Sequence, residues 1–130
     1  MGIIFALGML AVLALGAWVR LAPSDPARWD QPLAFAVDED LPGGVFRRVE
    51  DRDLAALDAV VLATPRTVVL AGSVSAGRVT YITRSRVWGF PAYTTVQQDG
   101  DGLLIFARLR FGRNDLGVNR ARVTRWLDQM

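Results

Sequence analysis

The most concentrated chemistry in this sequence is a set of seven arginines between residues 84 and 122. A guanidinium group offers a planar fork of N–H donors that matches carboxylate and phosphate oxygens two at a time. If the strands pair as we predict below, several of these groups converge near the start of the last helix, whose free N–H groups also favour an anion. The candidate anion- or partner-binding residues are Arg84, Arg86, Arg108, Arg110, Arg113, Arg120 and Arg122.

A structural role explains the same arginines. Asp115 and nearby carbonyls can pair with some guanidinium groups while water solvates the others, as is usual for surface arginines. Charge is unevenly spread: residues 21–66 hold five arginines against nine acidic residues, and residues 84–130 hold eight against four. The net charge is only +2, which argues against nucleic acid as a partner. We expect the structural role.

Enzymatic chemistry is limited by the residue types that the chain lacks, because it contains no cysteine, histidine or lysine. Thiol nucleophiles, histidine bases, Schiff bases and typical zinc or haem sites therefore have no candidate residues. No pair of carboxylates stands at a spacing typical of acid–base catalysis. We predict a non-enzymatic protein with no catalytic residue, no cofactor and no metal site.

Two acidic stretches invite a calcium-binding interpretation. Residues 99–102 read Asp-Gly-Asp-Gly and residues 38–40 read Asp-Glu-Asp. Neither has the further ligands and the bidentate glutamate that a calcium loop needs. We predict that residues 99–102 form the turn of a hairpin, with glycine at positive φ, and that residues 38–40 are solvated.

The elements that position these residues begin with an apolar segment. Gly2 to Val19 carries no charge and ends at Arg20; as a helix it spans roughly 27 Å, about the thickness of a bilayer core. A cleaved signal peptide is the alternative, since residues 14–16 (Ala-Leu-Gly) resemble a cleavage site. No basic residue precedes the run, however, and Trp18 with Arg20 resembles an interfacial anchor. We predict an uncleaved transmembrane anchor at residues 1–20, with the lipid bilayer as a partner.

The orientation of the anchor is open. Arg20 and Arg28 come after the span, which by charge count favours a cytoplasmic domain. A single N-terminal span nevertheless commonly exports the domain behind it, and a chain without cysteine suits either side. We expect a single-pass protein of the bacterial inner membrane with a periplasmic domain, and the cytoplasmic orientation remains the alternative.

After the anchor, residues 21–32 read as a linker and residues 33–130 as one domain. The linker holds three prolines and no periodicity, which predicts an extended stalk. Trp29 is unusual there, and we expect it either to pack back on the domain or to lie at the lipid headgroups.

The domain is predicted to be α+β, an antiparallel sheet of about four to five strands with two helices on one face. One helix is capped by Asp51 or Asp53 and runs to about Ala63; the other has Asn119 as its N-cap. Along the best strand, apolar residues occupy one face, while the other face begins apolar and ends with two arginines. The predicted strands are residues 45–49, 67–74, 79–86, 93–98 and 103–111.

The stretch from Arg108 to Arg122 (RLRFGRNDLGVNRAR) also carries a motif. Gly112 and Gly117 permit backbone turns, and Asp115 accepts hydrogen bonds from nearby backbone or arginine groups, with Asn119 at the helix start. Together with Arg84-Ser85-Arg86 and Gly89-Phe90-Pro91, this stretch resembles the signature of a bacterial and plant family catalogued as domain of unknown function fourteen ninety-nine. The resemblance covers roughly residues 30–128 and is strongest to alphaproteobacterial, membrane-anchored members. It implies a small domain behind a membrane or export segment and no established activity.

These observations favour two functions from different classes. The first is an accessory or assembly subunit that docks on a larger inner-membrane protein complex through the anchor and one domain face. The second is a stand-alone binding module for an anionic ligand or lipid headgroup, held by the arginines.

Overall fold

The computed structural model describes residues 1–130 as a long N-terminal helix followed by an α+β domain. The helices are α1 (Gly2–Leu21), α2 (Pro26–Trp29), α3 (Leu54–Leu62) and α4 (Val118–Asp128). The strands are β1 (Glu39–Leu41), β2 (Gly44–Val49), β3 (Thr67–Ser73), β4 (Arg78–Arg84), β5 (Pro91–Asp99) and β6 (Gly102–Leu109).

All six strands form one antiparallel sheet in the order β1-β2-β6-β5-β4-β3. The α+β class is confirmed, but the sheet has six strands where about four to five were predicted. The additional strand is β1, which lies in the acidic run and pairs with β2 through Asp40 and Val45. Its residues are exposed or half-buried at the sheet edge, where charged side chains keep their hydration and discourage pairing with other chains.

The core lies between one sheet face and helices α3 and α4, as the predicted apolar periodicity requires. Its polar edges are closed by hydrogen bonds: the Tyr81 hydroxyl donates to Asp58 at 2.6 Å, and the Trp126 indole donates to Thr64 at 2.7 Å. Burial, reinforced by the Asp58 carboxylate, raises the pKa of Tyr81, so the hydroxyl stays protonated and keeps donating. The twelve buried core residues are Val45, Leu54, Leu57, Val61, Val79, Tyr81, Val96, Leu103, Ile105, Ala107, Val123 and Trp126.

Helix α1 is apolar all round and stands almost entirely outside the domain. Its mean hydropathy is 2.4 over an 18-residue window, of which 6% is buried. By length and composition it is able to cross a membrane, properties that an N-terminal signal sequence shares. Only its end packs on the domain, where Val19 is 2% exposed and the following Ala22 is 4% exposed.

The segment between α1 and the sheet is not the extended stalk that its prolines suggested. Asp25 caps the short helix α2 by accepting from the Ala27 N–H at 2.9 Å, with Pro26 at the first helical position. This Asp-Pro pair is a favourable helix start. Trp29 then packs back on the domain, the first of the two predicted positions, and is 8% exposed.

Of three predicted element ends, the start of α3 and the hairpin turn at residues 99–102 are confirmed, and the start of α4 is not. Asp53 caps α3, accepting from the Ala56 N–H at 3.3 Å, and Asp99 pairs with Gly102 across the predicted hairpin turn. The predicted N-cap of α4 is wrong. Gly117, in the left-handed region at φ 77°, holds that position, while Asn119 lies inside the first turn and is 1% exposed.

Candidate binding surfaces on the open sheet face and at the end of α1

The sheet face opposite α3 and α4 is covered only in part, by the segment that comes after α1. The Trp29 ring stacks on Tyr93 with centroids 3.9 Å apart and planes 9° from parallel. Asp30 accepts from the Thr80 hydroxyl at 2.8 Å and pairs with Arg78 at 3.1 Å. These contacts hold the segment against β4 and β5, and the β2–β6 part of the face stays open.

Arg108 joins the covered and open parts of this face. Its guanidinium donates to the Trp29 carbonyl and, at 3.1 Å, to the Thr95 hydroxyl. It also lies 4.4 Å from the centroid of the Phe106 ring, a favourable cation–π distance. Burial lowers the pKa of Arg108 to about 10, so the group is charged at neutral pH. Its Nη2 fixes the segment after α1, and its Nη1 donates within the sheet to Thr95 and to the Phe106 carbonyl.

Two more candidate arginines hold the same segment. Arg110 donates to the Pro23 carbonyl at 2.8 Å and to the Tyr93 hydroxyl at 3.1 Å. Arg84 donates to the Val19 carbonyl at 3.3 Å and to the Gly89 carbonyl at 3.0 Å. The end of α1 and its connection are therefore fastened to the sheet by charged donors on β4 and just beyond β6.

The remaining candidate arginines lie elsewhere. Arg120 on α4 pairs with Asp40 at 3.2 Å. The pKa of that carboxyl is lowered by its hydrogen bonds with Arg47 and, to a smaller extent, with Arg120. Arg122 donates to the Asn119 side-chain oxygen at 3.0 Å, and burial lowers its pKa. Arg86 and Arg113 are exposed.

The expected convergence of these arginines near the start of α4 is therefore wrong. Helix α4 packs on the face that carries Ala107, and side chains alternate across a strand. Arg108 consequently points to the opposite face, away from Arg120 and Arg122. The seven guanidinium groups serve at least three separate places in the fold.

Asp115 accepts hydrogen bonds from the backbone and from an amide, not from arginine. One of its oxygens accepts from the Gly117 N–H at 2.9 Å. The other accepts from the Asn119 N–H at 3.0 Å and from its side-chain amide at 2.8 Å. The Asp115 N–H donates to the Pro42 carbonyl at 2.9 Å. Gly112 (φ 97°) and Gly117 both need left-handed backbone. This motif builds the β6–α4 connection and fastens it to the β1–β2 turn.

The open part of the sheet face forms what we call the aromatic cleft, a cavity of about 420 Å³. Phe46 and Phe106 stack at 4.2 Å between centroids, and Phe35 tilts against Phe46 at 4.8 Å. Arg28 and Arg108 stand in its wall. The predicted alternation of β6 pointed to Phe106 and Arg108, but nothing in the sequence announces that Phe35 and Phe46 join them.

A second cavity, which we call the arginine cleft, lies where β4 ends and β5 begins, beside the end of α1. It measures about 280 Å³ and is lined by Arg20, Arg66, Arg84 and Arg86. Only Arg84 and Arg86 were among the sequence candidates. Arg20 and Arg66 were missed because they come from α1 and the start of β3, which are distant along the chain.

Acidic and other ligand-type residues do not assemble elsewhere. No group of three or more histidine, cysteine, aspartate or glutamate residues is placed to hold a metal ion.

A family model described as "Protein of unknown function (DUF1499)" matches residues 19–130. That range runs from the last turn of α1 through the whole domain. No curated protein matches the chain.

Proposed function

Because this chain belongs to the DUF1499 family of proteins of unknown function, we propose its role from its own geometry. It is a non-enzymatic, membrane-anchored accessory or assembly subunit that docks on a larger protein complex of the bacterial inner membrane, with its domain in the periplasm. The observation that carries the proposal is the open aromatic cleft, formed between the segment that comes after α1 and strands β2 and β6. Neighbouring membrane proteins are the partners within reach of such a surface.

The anchor part of the proposal is supported by how α1 meets the domain. Val19 is buried, Arg84 donates to its carbonyl, and Trp88 reaches back to within 3.5 Å of where a Cβ on Gly16 would lie. Removal of the helix at residues 16 or 17 would strip the Trp88 contact from the domain and leave Val19 on a frayed end. A retained helix keeps the domain fixed directly at the bilayer surface.

We predict that the mature protein keeps residues 1–20 and stays in the membrane fraction after high-salt and carbonate washing, since roughly 20 apolar residues make a stable span. Intact-mass spectrometry of the purified protein checks this prediction. A mature chain beginning after Gly16 or Ala17 would show that the segment is a signal peptide instead.

The docking part rests on the composition of the aromatic cleft. Phe35, Phe46 and Phe106 are each only partly buried, so a row of three rings remains accessible on a face without a covering helix. Aromatic and arginine side chains around an apolar pocket are the residues that dominate protein–protein binding energy. The cleft accommodates an apolar side chain or two of a partner, and the exposed Arg28 in its wall is available for a carbonyl or carboxylate group.

The non-enzymatic part rests on how the polar groups are used. The hydroxyl of Tyr81 and the carboxylates of Asp30 and Asp115 are all spent on internal hydrogen bonds. Acid–base catalysis needs such a group free and aimed at a substrate. The open cleft is lined instead by phenylalanines and arginines, which suit recognition.

Phe35→Ala tests the docking surface, because Phe35 comes from the connecting segment and forms no part of the sheet or core. We expect Phe35→Ala to weaken the affinity for the partner by about tenfold or more, because truncating a central aromatic anchor typically costs about 2 kcal/mol of binding free energy. Tagged full-length protein is extracted in gentle detergent from the membranes of its own cell, and the co-purifying assembly is sized by native electrophoresis and quantified.

Val37→Ala is the matched control, because Val37 is apolar, 70% exposed and two residues away. The wild type and this control should migrate in the same defined assembly with constant stoichiometry. If wild type and Phe35→Ala retain the same proteins in equal amounts, or if no stoichiometric partner accompanies the wild type, the docking proposal is wrong.

A further inference from the structure

The end of the domain nearest α1 combines positive charge with exposed apolar side chains. Arg20 lies in the last turn of α1 and donates to the Val87 carbonyl. The loop between β4 and β5 that carries Val87 also carries Trp88 and Phe90. Their exposed fractions are 73% for Val87, 48% for Trp88 and 43% for Phe90. Such side chains beside an apolar helix are typical of a surface that sits at a membrane interface.

The arginine cleft lies against this loop and gathers four cations without a counter-charge. None of the residues that line it is acidic, and none of its four arginines takes part in the five salt bridges of the chain. Like charges in one cleft repel each other, so an anion bound among them relieves an unfavourable interaction. The arginine cleft is thus electrostatically complementary to a negatively charged group.

The hydrogen-bonding capacity of the cleft is only partly used. Arg84 is occupied by the Val19 and Gly89 carbonyls, and Arg66 spends its Nε on the Arg84 carbonyl at 3.1 Å. The two terminal nitrogens of Arg66 and the whole guanidinium of Arg86 make no hydrogen bond within the protein. These free donors match the non-bridging oxygens of a phosphate group.

The position of the arginine cleft favours the phosphate of a lipid headgroup over a free phosphate ion. Arg20 is one turn beyond Gly16, on which Trp88 packs, so the cleft lies at the level where α1 leaves its apolar stretch. In a membrane-spanning chain this is the depth of the lipid headgroups. Val68 and Ile82 add apolar surface to the wall of the cleft, which suits the glycerol end of a lipid better than a fully hydrated ion.

We propose that the arginine cleft binds the headgroup phosphate of an anionic phospholipid, while Val87, Trp88 and Phe90 dip into the interface beside it. The bound lipid holds this end of the domain against the bilayer and so limits how far the domain, fastened to α1, tilts relative to the membrane plane. This inference rests on α1 being a membrane anchor, but not on the existence of a docking partner.

Arg66→Gln combined with Arg86→Gln tests the site, because both side chains are exposed and their substitution leaves the contacts of Arg84 with α1 in place. Full-length protein in detergent micelles is titrated with phosphatidylglycerol or with phosphatidylcholine, and the retained lipid is counted by native mass spectrometry. We expect the wild type to bind phosphatidylglycerol at least tenfold more tightly than phosphatidylcholine. The double variant should bind phosphatidylglycerol about thirtyfold more weakly than the wild type, the scale expected for the loss of two basic residues at an anionic surface.

Arg52→Gln combined with Arg125→Gln is the control, since it removes the same charge from two exposed arginines outside the cleft. This control should retain phosphatidylglycerol like the wild type. Equal retention of both lipids by the wild type, or equal losses in both double variants, would overturn the proposal, because the effect would then be one of net charge. Displacement of the lipid by millimolar inorganic phosphate would also overturn it, in favour of a soluble ligand.

The anchor is tested separately, by carbonate extraction of native membranes. A chain that is cleaved or extracted there contradicts the proposed function, whatever the micelle titration shows. A chain that stays in the membrane but shows no lipid preference contradicts only the lipid site.

Discussion

Trp29→Ala is expected to lower the free energy of unfolding by about 3–5 kcal/mol, the usual cost of truncating a buried tryptophan. The ring is stacked on Tyr93 and packs with Ile82 and the partly buried Leu70. Its loss leaves a gap between the segment after α1 and the sheet, which the rigid strands cannot close. Urea denaturation of the full chain in detergent, followed by circular dichroism, measures the effect.

The same substitution should also loosen the segment between α1 and the sheet, making residues 22–38 cleavable by a protease at concentrations that leave the wild type intact. Trp18→Ala is the matched control, because Trp18 is 57% exposed and should change the unfolding free energy by less than about 0.5 kcal/mol. Equal destabilisation by the two variants would mean that Trp29 contributes no more than an exposed ring.

Asp115→Ala is expected to lower the melting temperature and to reduce the free energy of unfolding by about 1–3 kcal/mol, because it leaves buried donors without an acceptor. The Asn119 side chain is 1% exposed and its amide donates to Asp115. The Gly117 and Asn119 N–H groups at the start of α4 also lose their acceptor. Differential scanning calorimetry of the purified protein measures the change.

Asp128→Ala serves as the control, since this carboxylate lies exposed at the last residue of α4. It should leave the melting temperature nearly unchanged. If Asp115→Ala keeps the wild-type melting temperature but loses a bound partner, the motif is a docking element and not a structural one. The melting temperature of Asp115→Asn should lie between those of the wild type and Asp115→Ala, because the amide keeps one acceptor oxygen and replaces the other with a donor.

Local signals in the sequence predicted the local structure well. The apolar run at residues 103–107 and the arginine that follows it predicted β6 and its two faces, and Asp53 marked the start of α3. Strand β1 was missed because three residues that include Glu39 and Asp40 carry no strand propensity. It forms because its neighbour β2 offers a free edge and Arg47 neutralises Asp40 at 2.6 Å.

The candidate site was predicted less well, because contacts far apart in the chain decide it. Alternation along β6 predicted the face on which Arg108 lies but not which groups it meets there, and the ring that Trp29 stacks on belongs to Tyr93, in the fifth strand. Arg20 and Arg66 meet Arg84 only after α1, β3 and β4 have come together. No local pattern in a single sequence specifies contacts between such distant residues. The sequence therefore identified candidate arginines but not how they are arranged in space.

The pairing of β2 with β6 sets the order in which the protein can be completed during synthesis. Gly44 pairs with Arg108 and Val49 with Leu103, so β2 has no partner other than β1 until residue 108 has emerged from the ribosome. Closing so long a loop is slow compared with forming the β3–β4 and β5–β6 hairpins. During that interval the ring of Phe46 has no Phe106 to stack on, while α1 is already long enough to enter the membrane. With α1 acting as the proposed anchor, the nascent chain would be tethered to the bilayer before it is folded. Its unpaired aromatic strand would then lie near the membrane, where an exposed apolar surface risks mispairing with neighbouring chains.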